Sequence, residues 1–255
     1  MYEQDLALAL ELADIADEIT MARYRAADLR VETKPDMTPV SESDRRAETA
    51  IRERLARERP ADAIVGEEFG GAPGPGRAWV IDPIDGTKSY VRGMDTWSTL
   101  IALIDDGVVV VGVVAMPSLG KRWWATQGGG AFADGRRIRV SAVAELADAQ
   151  LVWSGIQEWD AVGAADALLA LARGCARTRG VGDAWQYMLV AEGAAEIAVD
   201  PQVSLWDLAA VSIVVQEAGG RFTDLQGRPG PGGGSGLASN GLLHEQARLL
   251  LAAAP

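Results

Sequence analysis

Acidic side chains that could bind a metal ion lie in three separate segments of this sequence. Glu67 and Glu68 stand together at the end of a short apolar run. Asp82 and Asp85 flank a Pro-Ile pair, and Asp207 lies at the start of a long apolar segment. Two carboxylates three residues apart across a bend can converge on one point, where they would repel each other without a cation. Because hard oxygen ligands suit Mg²⁺ or Mn²⁺ better than zinc or copper, the pattern predicts a divalent-metal site.

Each segment has a simpler explanation when it is taken alone. A Glu pair at the end of a strand is commonly solvated, and Asp207 could stabilise a helix start by about 0.3–1 kcal/mol. An Asx-type turn with an Asp as a helix cap explains one of Asp82 and Asp85 but leaves the other without a purpose. The metal hypothesis therefore depends on the three segments meeting in the folded chain.

The residues after Asp85 suggest what the metal would act on. Gly86 and Thr87 open a predicted short helix, so their free N–H groups could bind an anion beside the metal. Lys88 can equally be a solvated helix residue. A metal next to an anion site indicates a phosphate group as the ligand.

The amino-acid composition argues against several other classes of function. The 255 residues include 24 Lys and Arg against 36 Asp and Glu, so the net charge of −12 disfavours binding to nucleic acid or to an anionic membrane. A single Cys175 and a single His244 exclude an internal disulfide and most His-rich metal sites, and we expect both residues to be structural or on the surface, with no role assigned. With an acidic N-terminus and no apolar run of membrane-spanning length, we expect a cytoplasmic protein.

The elements that must position these acids follow from apolar periodicity and turn residues. In residues 1–140 we expect a helix from Glu3 to about Ala27, a polar loop over 33–39, a helix from Ser41 or Ser43 to Arg59, and strands at 63–66, 78–82, 98–104, 108–115, 122–126 and 137–140. Asp-Gly pairs at 106–107 and 134–135 predict hairpins, and hence an antiparallel sheet. Gly128 to Gly130 are predicted to form a turn.

Residues 141–255 alternate between the two types of element, which predicts an α/β half with a mixed sheet. The expected strands lie near Leu151, near Val181 and at 195–199, with a last one after a Gly-rich loop at 227–236. The expected helices cover 161–172, 184–191, 206–218 and 242–252.

Taken together and in this order, the acidic motifs resemble those of the lithium-sensitive, magnesium-dependent inositol monophosphatase family. The motifs are Glu67-Glu68, Asp82-Pro83-Ile84-Asp85-Gly86-Thr87 and Trp206-Asp207, and the segment from Lys34 to Asp44 is similar to that family's mobile metal-binding loop. Within the family the chain looks most like the bacterial histidinol-phosphate phosphatases, through the segments 38–40, 91–93, 122–125, 182–183 and 200–204.

The resemblance implies a layered α/β/α/β/α sandwich, a homodimer, and hydrolysis of a small alcohol phosphate. Its implied metal ligands are Glu67, Asp82, the Ile84 carbonyl, Asp85 and Asp207. It also implies that Thr87 and Asp44 orient the attacking water and take its proton, together with Glu67 as a catalytic group.

The substrate is predicted from a carboxylate that departs from the family pattern. Asp200 stands where the family has a Glu that contacts the alcohol, and Asp183 and Trp185 could complete an acidic and aromatic pocket. Such a pocket suits the ammonium and imidazole of histidinol phosphate, although Asp183 could instead cap a helix. Inositol monophosphatase activity and a non-catalytic metal-binding domain are the alternatives.

Overall fold

A computed structural model describes residues 2–35 and 37–252 of the chain. Its α-helices, numbered in chain order, are α1 (Glu3–Met21), α2 (Glu42–Glu58), α3 (Thr87–Val91), α4 (Ile156–Ala161), α5 (Ala165–Gly174), α6 (Asp183–Ala191), α7 (Leu205–Glu217) and α8 (His244–Ala252). Its strands are β1 (Val31–Thr33), β2 (Pro39–Ser41), β3 (Ala63–Gly66), β4 (Arg77–Asp85), β5 (Ser98–Asp105), β6 (Val108–Met116), β7 (Lys121–Thr126), β8 (Gly130–Ala133), β9 (Arg136–Arg137), β10 (Gln150–Trp153), β11 (Arg177–Gly180), β12 (Ile197–Asp200), β13 (Arg221–Thr223) and β14 (Gly236–Ser239). None of the helices so described is long and apolar enough to cross a membrane.

The first large sheet has the strand order β3-β4-β5-β6-β7-β8-β9. The turns at Asp106-Gly107 and Asp134-Gly135 join antiparallel neighbours, and their φ values of 46° to 81° are those of type I′ hairpins. Both predicted hairpins are thus confirmed. The predicted antiparallel pairing is confirmed from β4 to β9, and at one edge β3 runs parallel to β4. The connection 67–76 is long enough to return the chain to the same end of the sheet.

The second large sheet has the order β11-β10-β12-β14-β13. Strand β10 is parallel to β11 and β12, whereas β14 is antiparallel to β12 and β13, so the predicted mixed sheet is confirmed. The strands of the first sheet precede residue 141 and those of the second follow it.

Three apolar cores hold the layers together. Helices α1 and α2 pack on one face of the first sheet, against Trp79 and Ile81 of β4. The other face of that sheet packs on α6 and α7, which also contact the inner face of the second sheet. Trp159 of α4 joins α5 and α8 in covering the outer face of the second sheet. This is the expected α/β/α/β/α sandwich, and it sets the starts of α6 and α7 beside the end of β4.

Some element boundaries differ from the prediction. Helix α1 ends at Met21 rather than near Ala27, because the chain turns at Arg25, whose φ is 61° and whose Nη2 donates to Gly93 O at 2.8 Å. The helix expected over 161–172 is instead the pair α4 and α5, separated by Gly163 with a φ of 71°.

Short strands were the least predictable elements. The strand expected at 137–140 covers only Arg136–Arg137, and β8 and β13 were not predicted. The loop expected over 33–39 is partly ordered, because Thr33 and Pro39 pair in the two-stranded sheet of β1 and β2. Such strands are set by distant partners, and they contain too few residues for a periodic pattern.

His244 is a buried structural residue and does not lie on the surface. The imidazole is fully buried, with Nε2 2.9 Å from Thr223 Oγ1 and Nδ1 2.9 Å from Ser239 Oγ. Burial lowers the pKa of His244 to about 4. The folded state therefore favours the neutral ring, whereas the unfolded chain binds a proton near pH 6.5.

We expect acid to weaken the fold through this ring. Stability contributed by neutral His244 is complete above about pH 6.5 and is lost as the pH falls towards about 4, up to about 3 kcal/mol. Because the chain has one His, NMR can follow the ring without ambiguity. Its chemical shift should stay constant from about pH 8 to about pH 5. A titration midpoint near 6.5 in the folded protein would contradict the prediction.

Candidate active site

A β-bulge directs Asp82 and Asp85 to the same face of the first sheet. Two residues of β4, Pro83 and Ile84, lie opposite the single residue Thr99 of β5. In a regular strand, residues three apart point to opposite faces, and one extra residue reverses the second of them. Pro83 suits this position because it has no N–H to pair, and its carbonyl accepts a hydrogen bond from Thr99 Oγ1 at 2.9 Å. The predicted strand end at Asp82 is wrong, since β4 continues through the motif to Asp85.

Asp207 reaches the same point from the second half of the chain. One carboxylate oxygen from each of Asp82, Asp85 and Asp207 lies within 4.8 Å of the others. Asp207 also forms a capping box at the start of α7, where its Oδ2 accepts a hydrogen bond from Ser204 N at 2.7 Å. Asp82 Oδ1 accepts one from Ile84 N at 3.0 Å, as in an Asx turn. The simpler roles of Asp82 and Asp207 are thus real, and both side chains still face the cluster.

The electrostatics of the three carboxylates fit a cation. Burial, strengthened by the charges of Glu67, Asp85 and Asp207, raises the pKa of Asp82 well above its usual value. Burial also raises the pKa of Asp85 to about 6 and, with repulsion from Asp85, that of Asp207 to about 7. A divalent cation would relieve the repulsion between these carboxylates. Hard oxygen ligands of this kind suit Mg²⁺ or Mn²⁺.

Asp85 is anchored from two directions. Its Oδ2 atom accepts hydrogen bonds from Ser98 Oγ at 2.8 Å and from Ala184 N at 2.7 Å. Ser98 belongs to β5 and Ala184 to the first turn of α6, so Asp85 joins the first sheet to a central helix. Its carboxylate is therefore held in one orientation.

Glu67 lines the same cavity but lies outside this group of three. Lys34 Nζ is 2.8 Å from Glu67 Oε1 and 2.5 Å from Glu68 Oε1. Pairing with both carboxylates raises the pKa of Lys34 against the effect of its burial. The sequence places Lys34 in the loop similar to the family's metal-binding loop, and the ion pair shows where that loop meets the site. Asp36 of the loop lies outside the described residues.

A buried ion pair on α2 holds the turn that carries Glu67 and Glu68. Glu48 is fully buried, and its Oε2 atom accepts a hydrogen bond from Glu68 N at 2.8 Å. Arg52 Nε donates to Glu48 Oε1 at 2.7 Å, and Arg52 Nη2 donates to Gly70 O at 2.6 Å. A Cβ at Gly66 would lie 1.9 Å from Glu48 Oε1, so this approach requires glycine. Glu48 was not predicted from the sequence. Its position four residues after Asp44, on the same face of the helix, was the signal that could have identified it.

Asp44 and Thr87 form a second hydrogen-bonded unit. Asp44 Oδ2 accepts hydrogen bonds from Ser41 N at 2.8 Å and from Ser41 Oγ at 2.5 Å in the capping box of α2. Thr87 Oγ1 lies 3.1 Å from Asp44 Oδ1 and 2.9 Å from the Ile84 carbonyl oxygen. Thr87 lines the cavity and Asp44 lies behind it, so the hydroxyl can connect the cavity with a buried carboxylate.

Gly86 brings two halves of the chain into contact. Its φ of 81° is in the left-handed region, where glycine is unstrained. A Cβ at Gly86 would lie 2.8 Å from Asp183 Oδ2. A side chain at this position would therefore collide with the start of α6.

One cavity of about 510 Å³ collects most of the predicted residues. Those that line it are Glu67, Asp82, Ile84, Asp85, Gly86, Thr87, Asp183, Asp200 and Asp207. Trp185 is not among the residues that line this cavity, and it packs against the central apolar core. The ring therefore lies away from the position that an aromatic substrate contact requires. Ser154, Glu158 and Tyr187 line the cavity and were missed.

Asp183 and Asp200 form an acidic wall of the cavity. Asp200 is buried, and its Oδ2 atom accepts hydrogen bonds from Gln186 Nε2 and, at 2.6 Å, from Tyr187 Oη. Burial raises the pKa of Asp200 to about 7. Helix α6 has Gly182 at its N-cap and no side-chain cap, so Asp183 does not have the alternative capping role. Asp183 has a φ of 52°, a strained conformation of the kind that clusters at functional sites.

The layered fold and the acidic cluster place the chain in a known class. A model of the inositol monophosphatase family matches residues 1–254, and the chain belongs to that family. A histidinol-phosphatase from Mycobacterium tuberculosis is 54% identical over 252 residues, covering 96% of this chain and 97% of the relative. A histidinol-phosphatase from Streptomyces coelicolor is 53% identical over 254 residues, covering 96% of each. The structure of an inositol monophosphatase from Zymomonas mobilis superposes with a TM-score of 0.89 at 32% identity, covering 99% of each chain.

Proposed function

We propose that this protein is a metal-dependent phosphomonoesterase that hydrolyses L-histidinol phosphate to L-histidinol, a step of histidine biosynthesis. The observation that carries the proposal is the convergence of Asp82, Asp85 and Asp207 on a cavity that Asp183 and Asp200 also line. The names of relatives more than half identical to this chain support the same substrate.

The metal would be Mg²⁺, with Mn²⁺ as a substitute. Its ligands would be Glu67, Asp82, the Ile84 carbonyl, Asp85 and Asp207, all of which line the cavity. A bound divalent ion supplies Lewis-acid stabilisation of the charge on the phosphoryl and leaving oxygens. Phosphate monoesters need such help, since their enzymatic rate enhancements reach about 10²¹-fold.

The chain's own groups handle the phosphate and the proton. Gly86 and Thr87, which line the cavity at the start of α3, would bind phosphoryl oxygens. The Thr87 hydroxyl would orient the attacking water, and the proton that the water loses would pass to Asp44. The water oxygen bonds to phosphorus as the ester P–O bond breaks, and the departing alkoxide takes a proton from a solvent water to leave as the alcohol. This direct displacement needs no histidine, which agrees with the remote structural role of His244.

The acidic wall supports a cationic alcohol. Histidinol phosphate carries an ammonium group and an imidazole ring, whereas inositol phosphate carries only hydroxyl groups. Carboxylates at Asp183 and Asp200 favour the cationic substrate through charge-assisted hydrogen bonds. We also propose that the enzyme acts as a homodimer in the cytoplasm, in keeping with the family resemblance.

Phosphate release from the two esters under identical Mg²⁺ tests the substrate. We expect kcat/KM for histidinol phosphate to exceed that for inositol 1-phosphate, and Asp200→Asn to remove much of the difference. A chelator should abolish release from both esters, because the site loses its cation.

The alternatives give different results in the same assay. Equal rates, or a preference for the inositol ester, would contradict the histidinol assignment and leave a metal-dependent phosphatase. Mg²⁺ binding without release from any ester would indicate a non-catalytic metal-binding domain.

A further inference from the structure

The wall of the cavity that faces the substrate's alcohol has a third carboxylate. Glu158, in the first turn of α4, lines the cavity together with Ser154, which follows β10. Asp183 and Asp200 complete this wall from α6 and β12. Glu158 is exposed, whereas Asp200 is only 3% exposed, so the two acids lie at different depths.

The wall has no matching positive charge among the described residues that line the cavity. Lys88 is their one basic side chain, and it belongs to α3 on the phosphate side of the site. Glu158, Asp183 and Asp200 line the same cavity, and the charge of Glu158 makes a small contribution, beside the larger effect of burial, to the raised pKa of both Asp183 and Asp200. Three acids that share one wall favour a cation at that place.

Two neighbouring polar atoms on the wall lack a hydrogen bond of good geometry. They are Asp200 Oδ1 and Ser154 Oγ, and the Ser154 hydroxyl lies close enough to lower the pKa of Asp200 against the larger effect of burial. Buried polar atoms without partners are uncommon because they carry the cost of desolvation. Asp200 Oδ1 can therefore accept a hydrogen bond from the Ser154 hydroxyl or from a donor group of a bound ligand.

The depth of the acids matches the order of groups in the substrate. In histidinol phosphate the ammonium group is on the carbon next to the ester methylene, and the imidazole ring is one methylene further away. With the phosphate at the acidic cluster, the ammonium group would lie deep in the cavity and the ring would lie towards its mouth. The buried Asp200 would then be at the depth of the ammonium group and the exposed Glu158 at the depth of the ring.

We infer that Glu158 is a specificity-determining residue that accepts a hydrogen bond from the substrate's imidazole ring, while Asp200 receives the ammonium group. The inference rests on the proposed function and extends it to a residue of the short helix α4. It assigns the ring to a carboxylate at the cavity mouth instead of to Trp185.

Two phosphate esters distinguish the contribution of the imidazole ring from that of the ammonium group. 2-Aminopropyl phosphate keeps the ammonium group and the phosphate of histidinol phosphate but has no ring. In Glu158→Gln we expect kcat/KM for histidinol phosphate to fall about tenfold, the usual effect of losing one charged hydrogen bond, and that for 2-aminopropyl phosphate to change less than about twofold. An unchanged kcat/KM for 2-aminopropyl phosphate would also show that the variant is folded.

Asp160→Asn is the matched control. Asp160 is on the same helix, is exposed and is not among the residues that line the cavity, and its replacement removes the same charge. We expect no change with either ester in this variant.

Two results would overturn this inference and leave the proposed function intact. If Glu158→Gln slowed both esters equally, its effect would not come from the ring, and if it slowed neither, Glu158 would not contact the substrate. A wild-type enzyme that failed to prefer histidinol phosphate over inositol 1-phosphate would instead overturn the proposed function, and this inference with it.

Discussion

Asp85→Asn should lower kcat by on the order of 10³-fold at saturating Mg²⁺ while the protein stays folded. Asn has nearly the same shape as Asp, and its oxygen can keep a hydrogen bond with Ser98 Oγ or Ala184 N. The variant loses one of the negative charges that would hold the metal. Steady-state phosphate release across a Mg²⁺ titration measures the effect.

Thermal unfolding distinguishes this effect from a damaged fold. Because the variant removes one of three neighbouring carboxylates that repel one another, its free energy of unfolding in chelator should equal or exceed that of the wild type. The stabilisation that Mg²⁺ gives the wild type should be lost. Asp106→Asn, at an exposed hairpin turn where Asn tolerates the positive φ, is the control and should keep full activity. Wild-type turnover by Asp85→Asn would contradict the assignment of Asp85.

Thr87→Ala should lower kcat on the order of 10²-fold with little change in KM. The substitution leaves the acidic cluster intact and removes the hydroxyl that lies between the cavity and Asp44. Asp44 keeps its two hydrogen bonds from Ser41, so the start of α2 should remain in place. Initial rates over a range of substrate concentrations separate kcat from KM.

Thr87→Ser is the matched variant, because it restores the hydroxyl and loses only a methyl group. We expect it to recover most of the lost kcat. An unchanged kcat with a raised KM in Thr87→Ala would instead make Thr87 a binding residue.

Local features of the sequence predicted most of the scaffold. The Ser41 cap with Asp44 three residues later defines the start of α2, and each Asp-Gly pair defines a hairpin. These signals act over two to four residues, so they operate in the same way wherever the segment lies in the fold. The C-terminal end of α1 and the short strands β8 and β13 escaped prediction because they depend on contacts with residues distant in the chain.

The sequence by itself determined the chemistry available at the site. It contains one imidazole and one thiol, so a centre assembled from Glu67, Asp82, Asp85 and Asp207 would have hard oxygen ligands, which favour a hard divalent cation. Residue types and their order along the chain were sufficient for this, because a ligand's chemistry does not depend on where the fold places it.

The tertiary structure alone decided which of these groups meet and in what direction they point. The bulge opposite Thr99 puts Asp82 and Asp85 on one face, whereas a regular strand would put them on opposite faces. Packing of α6 between the sheets brings Asp183 to Gly86 and directs Trp185 into the core. Side-chain direction depends on strand register and on helix rotation, and both are determined by contacts between segments far apart in the chain.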